Sequence, residues 1–406
     1  MAKVIIIGAG AAGLFAAGTA ASLGHKVTVI EHMPSPASKL LITGKGRCNL
    51  TNNCTVEEFM PNVRRNPRFL YSALSAFPPE QVMRLFETEL CVPLKTERGR
   101  RVFPISDRAQ DIKQALLQYA QNAHIIYGDV KHLIIKSDKI NGVCLKSGDT
   151  INADNVIVAT GGLSYENTGS TGDGYRFATE SGHSVTALEP SLVSLVERGN
   201  IAKRMMGLSL KNVAITLYEG DKSIYTEQGE MLFTHFGVSG PLILSASAHI
   251  RDMQKHKYRI DIDLKPALSR EKLDKRIVSD FALLSGKDAA NCLVKLLPSK
   301  MRDVMADIWG IEPNLKTNQI TREQRLRLVE LMKAFPIEIK EKGDLAHAVI
   351  TSGGVNVKEI NPKTMESKIV HGLFFVGEVL DVDAYTGGYN LQIAFSTAYA
   401  AAKGIE

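Results

Sequence analysis

The strongest constraint on this chain lies in its first thirty-one residues. Residues 4–7 form a continuous apolar run, the pattern of a strand buried on both faces. Gly8-Ala9-Gly10-Ala11-Ala12-Gly13 follows, then small residues as far as Ser22 that suit a helix. A second strand over 26–30 ends at Glu31. Strand, G-x-G-x-x-G, helix, strand and acid stand in the order that dinucleotide binding requires. Gly8 suits a tight turn out of the strand, Gly10 leaves room for a pyrophosphate, and Gly13 lets the helix approach the sheet. The helix N-terminus then offers N–H groups to phosphate. Glu31 can accept from the adenosine ribose hydroxyls and would repel a 2′-phosphate, which points to FAD or NAD rather than NADP.

The uncharged stretch over residues 4–24 follows Lys3 and also has the look of a targeting segment or membrane span. Gly8, Gly10, Gly13 and Gly18 argue against a lipid-facing helix, and no cleavage signal is visible. The expectation is a chain without a membrane partner. Five scattered cysteines (Cys48, Cys54, Cys91, Cys144, Cys292) make no C-x-x-C pair and suggest reduced thiols in a cytoplasm. The histidines are dispersed and no metal-ligand motif is present, so no metal is expected.

Three further segments narrow the ligand. The loop read over residues 40–53 follows Lys39 and carries Thr43, Gly44, Lys45, Gly46, Arg47, Cys48 and Asn49. Its glycines admit close backbone approach, and Lys39 and Arg47 could stabilise a reduced flavin, which is anionic around N1 and O2. A buried strand over 155–159 ends in Thr160-Gly161-Gly162, and a hydroxyl-rich loop leads to Asp173. Near the C-terminus a strand ends at Gly377-Glu378, and Gly387-Gly388 opens a long small-residue helix at about Asn390. A helix N-terminus there would favour negative charge on a flavin pyrimidine. Together these favour FAD over NAD.

The chain resembles the BaiN and aminoacetone-oxidase type of FAD flavoproteins, known as NAD(P)/FAD-dependent oxidoreductases. The resemblance rests on GAGAAG at 8–13, KLLITGKGRCNLTN at 39–52, ATGG at 159–162 and GSTGDGY at 169–175. It also rests on FTHFGVSGP at 233–241, TSGGV at 351–355 and GEVLDVDAYTGGYNLQIAF at 377–395. Ala384 departs from the glycine expected there. The resemblance implies an α/β fold: a Rossmann-like FAD-binding domain of the two-dinucleotide-binding-domain flavoprotein type, with an inserted β-barrel-like domain and a helical domain. It implies phosphate and ribose contacts at Gly8, Gly10, Ala12, Gly13 and Glu31, and an isoalloxazine loop at Lys39, Thr43, Gly44, Gly46, Arg47, Cys48 and Asn49. Val130 would hold the adenine through its backbone. Gly377, Glu378, Asp381, Asn390 and Leu391 would close the ribityl and pyrimidine side.

The expected organisation is an FAD-binding domain at 1–190, a β-rich insertion at 191–268, a helical insert at 269–336 broken by Pro298 and Pro313, and a return to the first domain at 337–406. The net charge is +6, and residues 265–335 hold 14 Lys or Arg against 9 Asp or Glu. A solvated helical surface accounts for this, and no aromatic platform or nucleic-acid motif accompanies it, which argues against a nucleic-acid partner.

The activity expected is hydride transfer through flavin N5, with NAD(P)H as transient donor and an activated C=C or C=O bond of a small organic substrate as acceptor. An amine oxidase using oxygen and a non-catalytic flavin sensor are the alternatives, together with a Cys48/Cys54 dithiol reductase and a nucleic-acid-modifying flavoprotein. Arg47, Lys39, His235 and Tyr385 are the candidate catalytic residues, the last two for substrate orientation or proton transfer. No second G-x-G-x-x-G marks a nicotinamide site. The residues leave the oligomeric state open.

Overall fold

The computed structural model describes every residue except 252, 313 and 406, and residue 290 apart from its side chain. Pro313, read in the sequence as a helix break, lies outside the described residues. The chain divides into two compact units, Met1–Ser191 with Leu345–Glu406, and Leu192–Asp344.

A five-stranded parallel sheet forms the first unit's centre. Its order is Leu373–Phe375, Asn155–Val158, Lys3–Ile7 (β1), Lys26–Glu31 (β2) and His124–Tyr127. β1 lies between partners on both sides, with Ile6 opposite both Ile157 and Val29. All of Asn155–Val158 and all of β1 after Lys3 are buried. Burial on both faces explains why these strands read as unbroken apolar runs. The chain leaves β1 toward one side for β2 and later returns to the other, so a crevice opens at the carboxyl ends of the strands.

The helix after the glycine turn, Ala11–Ser22 (α1), is buried along most of its length. The stretch that has the look of a targeting segment is therefore folded core. Among the described residues no helix is long and apolar enough to cross a membrane. A Cβ on Gly13 would lie 1.9 Å from the Gly8 carbonyl oxygen, so the helix reaches the sheet only because that side chain is missing. Phe15 packs at 5.0 Å from Phe395 on the last helix, Tyr389–Lys403, and at 5.2 Å from Phe77.

The second unit is a closed barrel of six antiparallel strands with helices Arg270–Leu283, Ser299–Trp309 and Arg322–Lys333. Tyr258–Asp263 alternates buried and half-buried residues, as a barrel strand must. Pro298 stands at the start of Ser299–Trp309, where a proline costs no helical hydrogen bond. Pro336 sits inside the closing strand Phe335–Lys342, opposite Asp261. Residues 233–241 contain the short strand Gly237–Ser239, which pairs with Leu195 and Val196. Residues 40–53, read from the sequence as a loop, hold the end of a short helix (Ser38–Ile42), a tight helical turn (Thr43–Gly46) and a strand (Thr51–Asn52). Hydropathy periodicity is blind to elements this short.

Gly13→Ala should lower stability by about 1–3 kcal/mol, the usual cost of overpacking. Urea unfolding of the full chain measures this, and an unchanged midpoint would contradict the packing described.

Candidate functional site

A cleft partly open to solvent lies at the carboxyl end of the first unit's sheet. Its walls include Gly8, Gly10, Ala12, Glu31, Lys39, Thr43, Val130, Thr160, Gly161, Asp173, Glu378, Asn390 and Leu391, all singled out from the sequence. Gly10 is where a ligand's backbone approach is least obstructed: a Cβ built there meets no atom within 4 Å. Gly8, at φ +100°, makes the turn out of β1, and a Cβ there would lie 2.7 Å from the Ala159 carbonyl oxygen.

Glu31 is buried, and its carboxylate ties the turn together. Its Oε2 accepts from the Ala9 N–H at 2.6 Å and its Oε1 from the Met33 N–H at 2.7 Å. The residue expected to receive a ribose thus also holds the glycine turn against the end of β2. Gly377, at φ +72°, brings the end of Leu373–Phe375 against α1, where a Cβ would sit 3.2 Å from the Ala12 methyl. Asp173 opens the helix Asp173–Glu180, and Arg176 Nη2 donates to it at 2.8 Å. Burial works against the charge of Asp173, but bonds from Arg176 and Thr171 outweigh it and hold the carboxyl below its ordinary range.

Lys39 and Glu378, far apart in sequence, meet on the cleft wall. Lys39 Nζ lies 2.7 Å from Glu378 Oε2 and 2.7 Å from Ser164 Oγ. Ser164 Oγ in turn donates to Glu378 Oε1 at 3.0 Å, and the Thr351 N–H donates to the same oxygen at 3.0 Å. Sequence reasoning missed Ser164 and Thr351. Ser164 lies two residues past the Gly-Gly pair and Thr351 opens the TSGGV motif, and those positions were the available signals.

Several expected residues do not line the cleft. Arg47 is held by Glu97 at 2.8 Å and Asp107 at 3.1 Å, and its guanidinium lies 4.1 Å over the Phe103 ring. Its charge is committed to the sheet formed by Thr51–Asn52, Arg101–Pro104 and Leu94–Glu97. Asp381 is buried beside Arg65, whose Nε lies 2.6 Å away. Asn390 lines the cleft, yet its amide is used on the backbone, accepting from the Ala384 N–H at 2.9 Å and donating to the Ala384 carbonyl at 2.8 Å. The helix begins at Tyr389; Gly388 before it has φ +95°, and a Cβ there would lie 2.2 Å from the Thr51 carbonyl oxygen. Asn49 accepts from the Gly388 N–H at 3.0 Å, which links the 43–49 segment to the helix start. Gly44 and Gly46 have positive φ, and Gly13 lies beneath the turn. Tyr385 is half-buried, with the Arg64 guanidinium 5.2 Å over its ring. His235 belongs to the second unit, exposed at the tip of a turn that Thr234 Oγ1 closes by accepting from the Gly237 N–H at 3.1 Å.

The thiols argue against a dithiol centre. All five cysteines are free. Cys48 is fully buried, and that burial pushes its pKa up to about 12. Burial, with Glu58 nearby, pushes Cys54 up to about 11. Neither thiol is poised as the thiolate that disulfide exchange needs. Among the described residues no cluster suited to a metal is found.

A glycine turn, an acid at the end of β2 and a C-terminal helix start around one cleft define a dinucleotide-binding flavoprotein. Over residues 2–404 the chain matches the HI0933-like protein Rossmann domain family. It is 32% identical over 414 residues to a ribosomal RNA dihydrouridine synthase of Haemophilus influenzae, spanning 99% of this chain and 98% of that protein. It is 29% identical over 410 residues to a 3-dehydro-bile acid delta(4,6)-reductase of Clostridium scindens, again spanning 99% and 98%. Among solved structures it is similar to a 3-ketosteroid-delta4-(5alpha)-dehydrogenase from Rhodococcus jostii RHA1, with TM-score 0.53 and 14% identity over 99% of this chain and 96% of that one. This last likeness is one of fold. The chain belongs to the HI0933-like family and is an FAD-dependent oxidoreductase.

Two outcomes follow from this geometry. Glu31→Gln replaces one acceptor with a donor facing a backbone N–H, so it should cost about 1–3 kcal/mol in the absence of any ligand; urea unfolding of flavin-free protein would show it. At pH 8, Cys91, which is exposed, should react promptly with a thiol reagent while Cys48 reacts only on unfolding; mass spectrometry of the labelled protein reads both.

Proposed function

We propose that this chain reduces a carbon–carbon double bond conjugated to a carbonyl, with NADH or NADPH as the electron source. The observation that carries the reading is full-length similarity to two relatives named for chemically related bond changes. Dihydrouridine is uridine with two hydrogens added across the C5=C6 bond, which is conjugated to the C4 carbonyl. A 3-dehydro compound unsaturated at position 4 likewise has its double bond conjugated to a ketone. FAD, when bound, supplies hydride transfer through N5.

The protein's part is to bind, orient and exclude water. Gly8, Gly10, Ala12 and Gly13 hold the phosphates at the start of α1, with Glu31 at the ribose and Val130 at the adenine. The Thr43–Asn49 segment takes the isoalloxazine, with Thr43 on the cleft and Gly44, Gly46, Arg47 and Cys48 contributing through their backbone while the Arg47 guanidinium stays with Glu97 and Asp107. Thr160, Gly161 and Asp173 face the middle of the ligand, and Gly377, Glu378, Asp381, Gly388, Asn390 and Leu391 close the ribityl and pyrimidine side. Lys39 brings a positive charge to the cleft, although its pairing with Glu378 leaves that pair neutral overall. Addition across a conjugated bond also needs a proton at the carbon next to the carbonyl. Tyr385 and His235 are the candidates to orient the substrate or deliver that proton. Five free thiols suit a reducing compartment, and we place the protein in the cytoplasm.

A small conjugated ketone is the first substrate class. A uracil base in ribosomal RNA is the second, favoured by the 32% identical relative. Anaerobic stopped-flow absorbance separates the readings. NADH or NADPH should bleach the bound flavin, and a conjugated enone or ribosomal RNA should restore its colour. Bleaching by amines alone, with reoxidation by oxygen, would replace this reading with an amine oxidase.

A further inference from the structure

Lys113 lies on the helix Ala109–Tyr119 and is buried, only 7% exposed. Among the described residues its ammonium has one polar partner, Ser35 Oγ, at 2.6 Å. A buried ammonium without a carboxylate is costly, so a structure that keeps one has a use for its charge. Ser35 shows where that charge is directed. It lines the cleft and is exposed there. Because its oxygen accepts from Lys113, its own proton remains free to donate.

The same segment is fastened to the glycine turn, for the Ala37 N–H donates to the Ala9 carbonyl at 2.9 Å. Ser35 therefore stands at the end of the cleft where the turn and the start of α1 receive phosphates.

The charges on the cleft wall give Lys113 its purpose. Glu31, Asp129, Asp173 and Glu378 line the cleft, against the single lysine Lys39. Lys39 is paired with Glu378, Arg176 with Asp173, and Lys146 with Asp129. A pyrophosphate adds two further negative charges to this wall, and these cations are already committed. We propose that Lys113, acting through Ser35, supplies the countercharge for the pyrophosphate of the bound dinucleotide and is a positioning residue for FAD.

The test uses full-length Lys113→Met, Lys113→Arg and Ser35→Ala proteins, and reads FAD release on dilution by flavin fluorescence at low and high salt. Lys113→Met should weaken FAD retention about tenfold, the scale of one hydrogen bond to a charged group. It should also flatten the salt dependence. Lys113→Arg should retain most of the affinity, and Ser35→Ala should fall in the same direction as Lys113→Met. ADP should compete less well for the Lys113→Met site, while adenosine competes as before. The flavin-stripped Lys113→Met chain should unfold thermally no earlier than the parent, since a buried charge has been removed. FAD retention within twofold of the parent, or equal losses for ADP and adenosine, would overturn the proposal. If Lys113→Met fails to fold, Ser35→Ala decides, and unchanged FAD retention there would overturn it. These readouts concern the cofactor alone, so they stand or fall separately from the substrate reading.

Discussion

The contact between Gly13 and the Gly8 carbonyl is the constraint from which the rest of the first unit follows. The helix α1 can begin at Ala11 and lie flat on the sheet because no side chain separates these two backbones. That placement puts the helix N-terminus at the carboxyl end of β1. It also sets the depth of the last helix, whose Phe395 meets Phe15. Gly377 repeats the device from the opposite side, bringing the end of its strand against Ala12. Two backbone approaches, each permitted by a missing Cβ, define the two sides of the cleft.

Around that cleft the carboxylates are engaged rather than free. Glu31 accepts from two backbone N–H groups, Glu378 from Lys39, Ser164 and Thr351, and Asp381 from Arg65 and Asn66. Buried polar groups persist when every lone pair finds a donor, and satisfied networks hold their members in place. These acids stay positioned without a ligand, and a dinucleotide meets a preformed wall. The cost is a wall whose own charge opposes a dianion, which is why the cations beneath the surface matter as much as those on it.

The glycine turn, its flanking strands and the acid at position 31 were legible in the sequence because their meaning is local: each residue's role depends on neighbours a few positions away. The C-terminal helix start was legible for the same reason. Arg47 was read as a flavin contact from its loop, but Glu97 and Asp107, fifty and sixty residues distant, claim its guanidinium. Ser164 and Lys113 were invisible as site residues because their roles come from pairings across 125 and 78 residues. Lys113 in particular reads as an ordinary solvated lysine on an amphipathic helix until its burial is known. The barrel's closing strand was obscured by Pro336, since a proline in a run of alternating residues argues against a strand unless it sits where no ladder bond is needed.

The long insertion leaves and rejoins the first unit at one place. Glu189–Ser191 pairs antiparallel with Ile350–Ser352, with Glu189 opposite Ser352 and Ser191 opposite Ile350. Asp383 fastens both strands, accepting from Ser191 Oγ and Ser352 Oγ at 3.0 Å each, and it is 1% exposed. The two ends of the insertion are therefore joined by bonds internal to the first unit. A loop whose ends are already close adds little closure cost however long it becomes, because that cost grows only with the logarithm of length. The two-stranded clasp therefore closes the first unit whatever the length of chain inserted between its strands. Thr351, from the same clasp, donates its N–H to Glu378, so the fastening of the insertion and the positioning of the cleft's acid are parts of one hydrogen-bonded network.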